Sequence, residues 1–131
     1  MRIILFVFVL IFLSKGYSQD LVFDVDVIEL GDFQEGAVNK FTFNYHNKSS
    51  SEVVIIQGVL PQCGCTSIDF EERIVQPLQA GSLMFEFDSS GKEGYLRKTI
   101  TVLLKDSSPM VLVFTANVIT SKKKGKEKPI R

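Results

Sequence analysis

Cys63 and Cys65 stand two residues apart around Gly64, and they are the only cysteines in a chain of 131 residues. Sulfurs at i and i+2 on an extended backbone point to the same side, so both can meet one ligand or each other. A glycine between them permits a tighter turn. Three kinds of chemistry suit the pair. Two small thiols can simply shape the loop after a strand, with Thr66 hydrogen-bonding nearby. A disulfide across one residue closes a small ring whose constraint makes the bond easily reduced, which would be a redox function. Paired thiolates also suit a soft metal such as monovalent copper, with Cys63 and Cys65 as the metal ligands. Zinc would want about four ligands. The chain offers a single histidine, His46, so a closed zinc site would need the sulfurs of two chains. Nothing resembles a thioredoxin active site, which requires Cys-x-x-Cys at a helix start.

The other reactive side chains form no convergent set. His46 alternates with apolar neighbours and reads as a solvent-facing strand residue. Any Ser-His-Asp arrangement would have to use it, and Ser49 to Ser51 form a plain loop without a nucleophile-elbow pattern. Asp24, Asp26 and Glu29 read as the solvated face of a strand. Carboxylate-pair catalysis would require such acids to face one another across a cleft. The glycines are scattered at turns and form no phosphate-cradling loop. Asn47-Lys48-Ser49 is a glycosylation sequon, of consequence only in a eukaryotic secretory pathway. The expectation is a non-enzyme with no catalytic residue and no cofactor.

The elements that must carry these residues begin after a leader. Arg2 is followed by an unbroken apolar run of eleven residues, Ile3 to Leu13. Gly16-Tyr17-Ser18 then places small residues at −3 and −1 before Gln19, completing the layout of a secretory signal peptide. Eleven apolar residues are too few to span a bilayer, so no transmembrane segment is expected after cleavage. The expected organisation is a signal peptide over 1–18, one domain over 19–120 and a basic tail over 121–131, in a protein exported to the periplasm or beyond the cell.

Without the leader the chain has 13 basic and 15 acidic residues, but they are unevenly placed. The tail carries +5 and the body −7. An acidic body gives no reason to expect nucleic-acid binding. The tail, which has little to pack, is expected to be disordered, and it suits at most a weak contact with an anionic surface. With no distant partner for either cysteine, the domain must be held by apolar burial.

Short alternating runs punctuated by turn residues fill the body. Val22 to Leu30 alternates Phe23, Val25 and Val27 with Asp24 and Asp26, predicting one half-buried strand. Gly31-Asp32 and Glu35-Gly36 predict turns. Phe41, Phe43 and Tyr45 share one face of the next strand, with Thr42, Asn44 and His46 on the other. Val53 to Leu60 is more continuous, suiting a strand covered on both faces. Ile74 to Gly81 is irregular, with Pro77 and Gly81 as breakers. A run through Leu83, Phe85 and Phe87 ends at Asp88-Ser89-Ser90-Gly91, and Leu96 to Leu104 and Val111 to Ile119 complete the set. About seven strands without a convincing helix predict an all-β, immunoglobulin-like sandwich.

Several segments together resemble domain-of-unknown-function family 1573. They are Leu30-Gly31-Asp32-Phe33-Gln34-Glu35-Gly36, Phe41-Thr42-Phe43-Asn44-Tyr45-His46-Asn47 and Cys63-Gly64-Cys65-Thr66. Ala80-Gly81-Ser82, Phe85-Glu86-Phe87-Asp88 and Gly94-Tyr95-Leu96-Arg97-Lys98 continue the likeness, which runs from about Phe23 to Val118. The resemblance implies an exported bacterial domain, common in Bacteroidetes-like organisms, with an immunoglobulin-like sandwich related to ciliary and chaperone-type modules. It implies no established activity. Leu30 and Ala80 depart from the pattern, standing where Phe and Pro are usual. The function expected is a binding or assembly module of the cell envelope with a protein partner; the alternative is a thiol-redox or soft-metal protein working through Cys63 and Cys65.

Overall fold

Phe41, Phe43 and Tyr45 point inward from one strand while Thr42, Asn44 and His46 line its outer face. This division repeats through the computed structural model, which describes residues 19–121. The expected leader over 1–18 lies outside the described residues, as does the expected basic tail apart from Ser121. Among the described residues nine strands form in place of about seven: β1 (Leu21–Phe23), β2 (Val27–Gln34), β3 (Val38–Asn47), β4 (Val54–Pro61), β5 (Thr66–Ser67), β6 (Arg73–Val75), β7 (Ala80–Asp88), β8 (Gly94–Leu104) and β9 (Met110–Ile119). The described residues contain no helix. One sheet has the order β1-β3-β7-β5 and the other β2-β9-β8-β4-β6. The chain is thus an all-β sandwich of the immunoglobulin-like kind.

Between the sheets lies one apolar core. Leu21, Phe41, Phe43, Leu83, Phe85 and Phe87 enter from the four-stranded side, and Ile56, Ile100, Val102, Leu112 and Phe114 from the other. Aromatic rings bridge the layers, with Phe114 at 4.8 Å from Phe41 and 5.2 Å from Phe87 between centroids.

The run Val22 to Leu30 is not one strand. It breaks at Asp24–Asp26, and its halves join opposite sheets. β1 pairs antiparallel with β3, whereas β2 runs parallel to β9. Asp24 N–H still donates to Asn44 O at 3.0 Å, and two residues on Asp26 O accepts from Val113 N–H at 2.8 Å. The two sheets face the core from opposite sides, so a crossing chain must change the phase of its alternation. Phe23 is inward, then Val25 and Val27 are left 49% and 46% exposed while Ile28 and Leu30 pack on the core.

Other expectations shift for local reasons. Gly31-Asp32 lies inside β2 rather than in a turn; Gly31 has φ +79° and the register with β9 slips between Glu29 and Asp32, marking a β-bulge. β4 is covered on one face only, for Leu60 is 55% exposed. Gly81 does not break the chain but sits within β7, facing Tyr45. A Cβ there would lie 2.5 Å from Tyr45 Oη and 2.6 Å from Cζ. Tyr45 is buried, edge-on to Phe23 at 5.8 Å, and has little room to retreat. Gly81→Ala is expected to cost about 1–3 kcal/mol in urea unfolding, with part regained when Tyr45→Leu is added.

Candidate functional site

Cys63-Gly64-Cys65 occupies the point where the chain leaves one sheet for the other. β4 ends at Pro61, which has no N–H to continue the ladder. Gln62 still holds to β8, its N–H donating to Thr99 O at 3.0 Å and its Oε1 accepting from Thr99 N–H at 3.1 Å. Thr66 N–H donates to Cys63 O at 3.2 Å, closing the turn, and Asp88 N–H donates to Cys65 O at 2.8 Å, tying it to β7. Cys63 and Cys65 are half-buried and Gly64 is exposed. The two sulfurs are joined in a disulfide, with Cα atoms 5.2 Å apart. Cys65 leans on the core, and Thr66 Oγ1 lies 3.8 Å from Cys63 Sγ.

The turn does not need its glycine for shape. Gly64 is not among the positive-φ residues, and a Cβ there would meet nothing within 4 Å. Gly64→Ala is therefore expected to leave thermal stability unchanged within about 0.5 kcal/mol.

The remaining sequence candidates stay apart. His46 pairs with Ala80 in register, whereas Cys65 bonds Asp88, eight residues farther along β7. At about 3.3 Å per residue that separation is roughly 26 Å. His46 instead faces Asp24 at 3.7 Å on the outer surface. No group of three or more His, Cys, Asp or Glu side chains gathers as for a metal among the described residues. Ser49 Oγ accepts from the Glu52 N–H at 2.9 Å and shapes its loop. Asn47 of the sequon is fully buried, its side-chain nitrogen committed to backbone carbonyls. Asp88 Oδ1 accepts from Ser90 N–H at 2.9 Å. The Ser90 side-chain and backbone hydrogen bonds hold the Asp88 carboxyl below the ordinary carboxylate range. Its contribution to stability is thus present above that range and fades as pH falls through the lowered folded value. In an NMR titration, Ser90→Ala should move the Asp88 midpoint upward.

A second feature was not apparent from sequence. Alternate residues of a strand direct N–H and C=O to opposite edges. Asp88 N–H points to β5, so Glu86, Met84 and Ser82 address the same outer edge of β7. β5 pairs only with Phe87 and Glu86. Arg73 Nη1 takes Ser82 O at 2.6 Å, its guanidinium lying over the Phe70 ring. Among the described residues nothing takes the Met84 N–H and C=O or the Ser82 N–H. A groove of about 750 Å³ runs along this edge, lined by Ser67, Ile68, Asp69, Arg73, Ser82, Met84 and Glu86. The only sequence signal was Met84, an apolar residue on the outward phase, 58% exposed.

Solved structures with a similar backbone include a protein of unknown function from Porphyromonas gingivalis W83, at 12% identity and TM-score 0.63 over 74% of this chain. The chain spans 46% of that protein. The seventh PapD-like domain of human CEP192 is similar at 8% identity and TM-score 0.65, over 83% of this chain and 92% of that domain. The periplasmic chaperone SfaE is similar at 10% identity and TM-score 0.55, over 83% of this chain and 59% of the chaperone. At such identities the likeness concerns the fold alone. No curated protein matches the sequence. A family profile does match, over residues 21–118, which takes in every strand except the last residue of β9 and contains the disulfide turn. The chain belongs to DUF1573, a family of proteins of unknown function.

Proposed function

We propose that this protein is an exported binding module of the periplasm or cell surface that holds a partner protein by strand addition along the outer edge of β7. The observation that carries the reading is the free hydrogen-bonding groups of Met84 and Ser82 beside so short a neighbour as β5. Ala80 to Phe85 offers six residues, roughly 20 Å of edge, for an extended peptide. Unpaired edges are liabilities that proteins usually cover or charge, and here Arg73 caps one carbonyl and leaves the rest open. Asp69, Glu71 and Glu72 lie beside the groove, while Glu86 is engaged by Lys40 at 2.9 Å. An extended segment with basic residues complements that charge. The apolar run and small residues before Gln19 support export.

Met84→Pro tests this reading, because it removes an N–H that bonds nothing in the fold, and proline is tolerated on strand edges. In pull-downs from an envelope fraction, Met84→Pro is expected to abolish capture of the partner while Arg73→Ala, which frees Ser82 O, retains or strengthens it. Circular dichroism and the thermal midpoint establish that both variants are folded. Equal capture by folded Met84→Pro would defeat the proposal.

A further inference from the structure

We propose that the Cys63–Cys65 disulfide is an exchange site that oxidises a pair of thiols on a partner protein, with Thr66 positioning the sulfur that leaves. The inference stands on the turn after β4 and does not depend on the β7 edge.

The bond has little to do as a staple. A disulfide constrains the unfolded chain more as its loop lengthens, and this one encloses a single residue. Both flanks of the turn are already fixed by backbone hydrogen bonds, Gln62 to Thr99 on one side and Cys65 to Asp88 on the other. Access is better than a buried structural disulfide would require. Both cysteines are half-buried, Gly64 is exposed, and apart from the two cysteines themselves no atom lies within 4 Å of where its side chain would stand. A glycine that neither the turn's dihedrals nor its packing demands leaves room for an incoming sulfur.

The two sulfurs are also unequal. The Thr66 hydroxyl lies 3.8 Å from Cys63 Sγ, within hydrogen-bonding reach of sulfur, and Thr66 is itself buried and fixed in β5. A hydroxyl that donates to a thiolate stabilises it, and the better-stabilised thiolate is the better leaving group. A partner thiolate therefore attacks Cys65 Sγ. A bond forms between the partner sulfur and Cys65, the Cys63–Cys65 bond breaks, and its electron pair passes to Cys63, which the Thr66 hydroxyl receives as a thiolate. The partner's second thiolate then attacks the partner sulfur of this mixed disulfide, and Cys65 departs as a thiolate. The partner dithiol loses two electrons and becomes a disulfide. The cysteine pair gains those electrons, and the two protons from the partner's thiols are shared among solvent and the released sulfurs.

The test uses the full chain, purified in its oxidised form, and an unstructured synthetic peptide carrying two cysteines. Exchange is followed at neutral pH by acid quenching, alkylation and mass. The oxidised chain is expected to oxidise the peptide at least about tenfold faster than oxidised glutathione does, through an adduct on Cys65. Thr66→Val, close in shape, is expected to slow the first step about tenfold, as loss of a hydrogen bond to a charged sulfur implies. It should also raise the pH at which Cys63 of the reduced chain becomes reactive to iodoacetamide, a readout that packing alone would not move. A rate no greater than that of glutathione would overturn the proposal, as would a folded Thr66→Val chain with an unchanged rate and pH profile.

Discussion

Phe114→Ala is expected to lower the free energy of unfolding by about 3–5 kcal/mol, the usual cost of emptying a buried aromatic site. Phe114 is fully buried on β9, and its ring meets Phe41 and Phe87 of the opposite sheet. Those neighbours are themselves bound, Phe41 stacked on Phe85 at 5.5 Å and Phe87 edge-on to Phe33 at 5.8 Å, so the site cannot easily collapse. Lost ring–ring contacts add to the transfer cost. Domains of this size have total stabilities on the order of 5–15 kcal/mol. The thermal midpoint should accordingly fall by roughly 20 °C. Phe114→Leu, which keeps most of the volume, should cost much less, and Tyr95→Ala, at a position 70% exposed, should cost almost nothing. Guanidinium unfolding of the three variants checks the order.

Asn47→Leu is expected to cost about 2–4 kcal/mol, although it replaces a polar group with an apolar one in a buried place. Asn47 is fully buried at the end of β3. Its Nδ2 donates to Glu52 O at 2.7 Å and to Val75 O and Gln76 O at 3.2 Å, and its Oδ1 accepts from Ser49 N–H at 3.0 Å. One side chain thus satisfies the loop after β3 and the end of β6 together, and leucine leaves those groups unpaired, Val75 O in a buried place. Asn47→Asp keeps the size but turns an acceptor toward three carbonyls. It should be at least as damaging at neutral pH and recover partly in acid, when the carboxyl regains a donor. Urea unfolding at two pH values separates the loss of a donor from the loss of shape.

The inward faces of β3 and β7 were legible from alternation because both strands are long and have one wet face. β1 and β2 were not. Phe23, Val25 and Val27 keep perfect period two, and only the pairing of Leu21–Phe23 with β3 and of Val27–Gln34 with β9 divides them. That choice is made by residues far away in sequence. A glycine at positive φ serves a turn or a bulge equally, so Gly31 read as a turn. β5 and β6, of two and three residues, are shorter than any period can reveal. At the disulfide turn the cysteines were conspicuous by type, but their union and the nearness of Thr66 depend on the local path of the chain. The open edge of β7 left almost no trace, because openness is a property of the missing neighbour rather than of Ser82 or Met84.

Amide hydrogen exchange at Met84, followed by NMR in the free chain and in the complex with the captured partner, tests the strand-addition reading most directly. In the free chain the Met84 amide should exchange quickly while those of Leu83 and Phe85, turned toward β3, stay protected; in the complex Met84 should become protected as well. A Met84 amide already as slow as Leu83 in the free chain, or one unchanged by the partner, would contradict the proposed function.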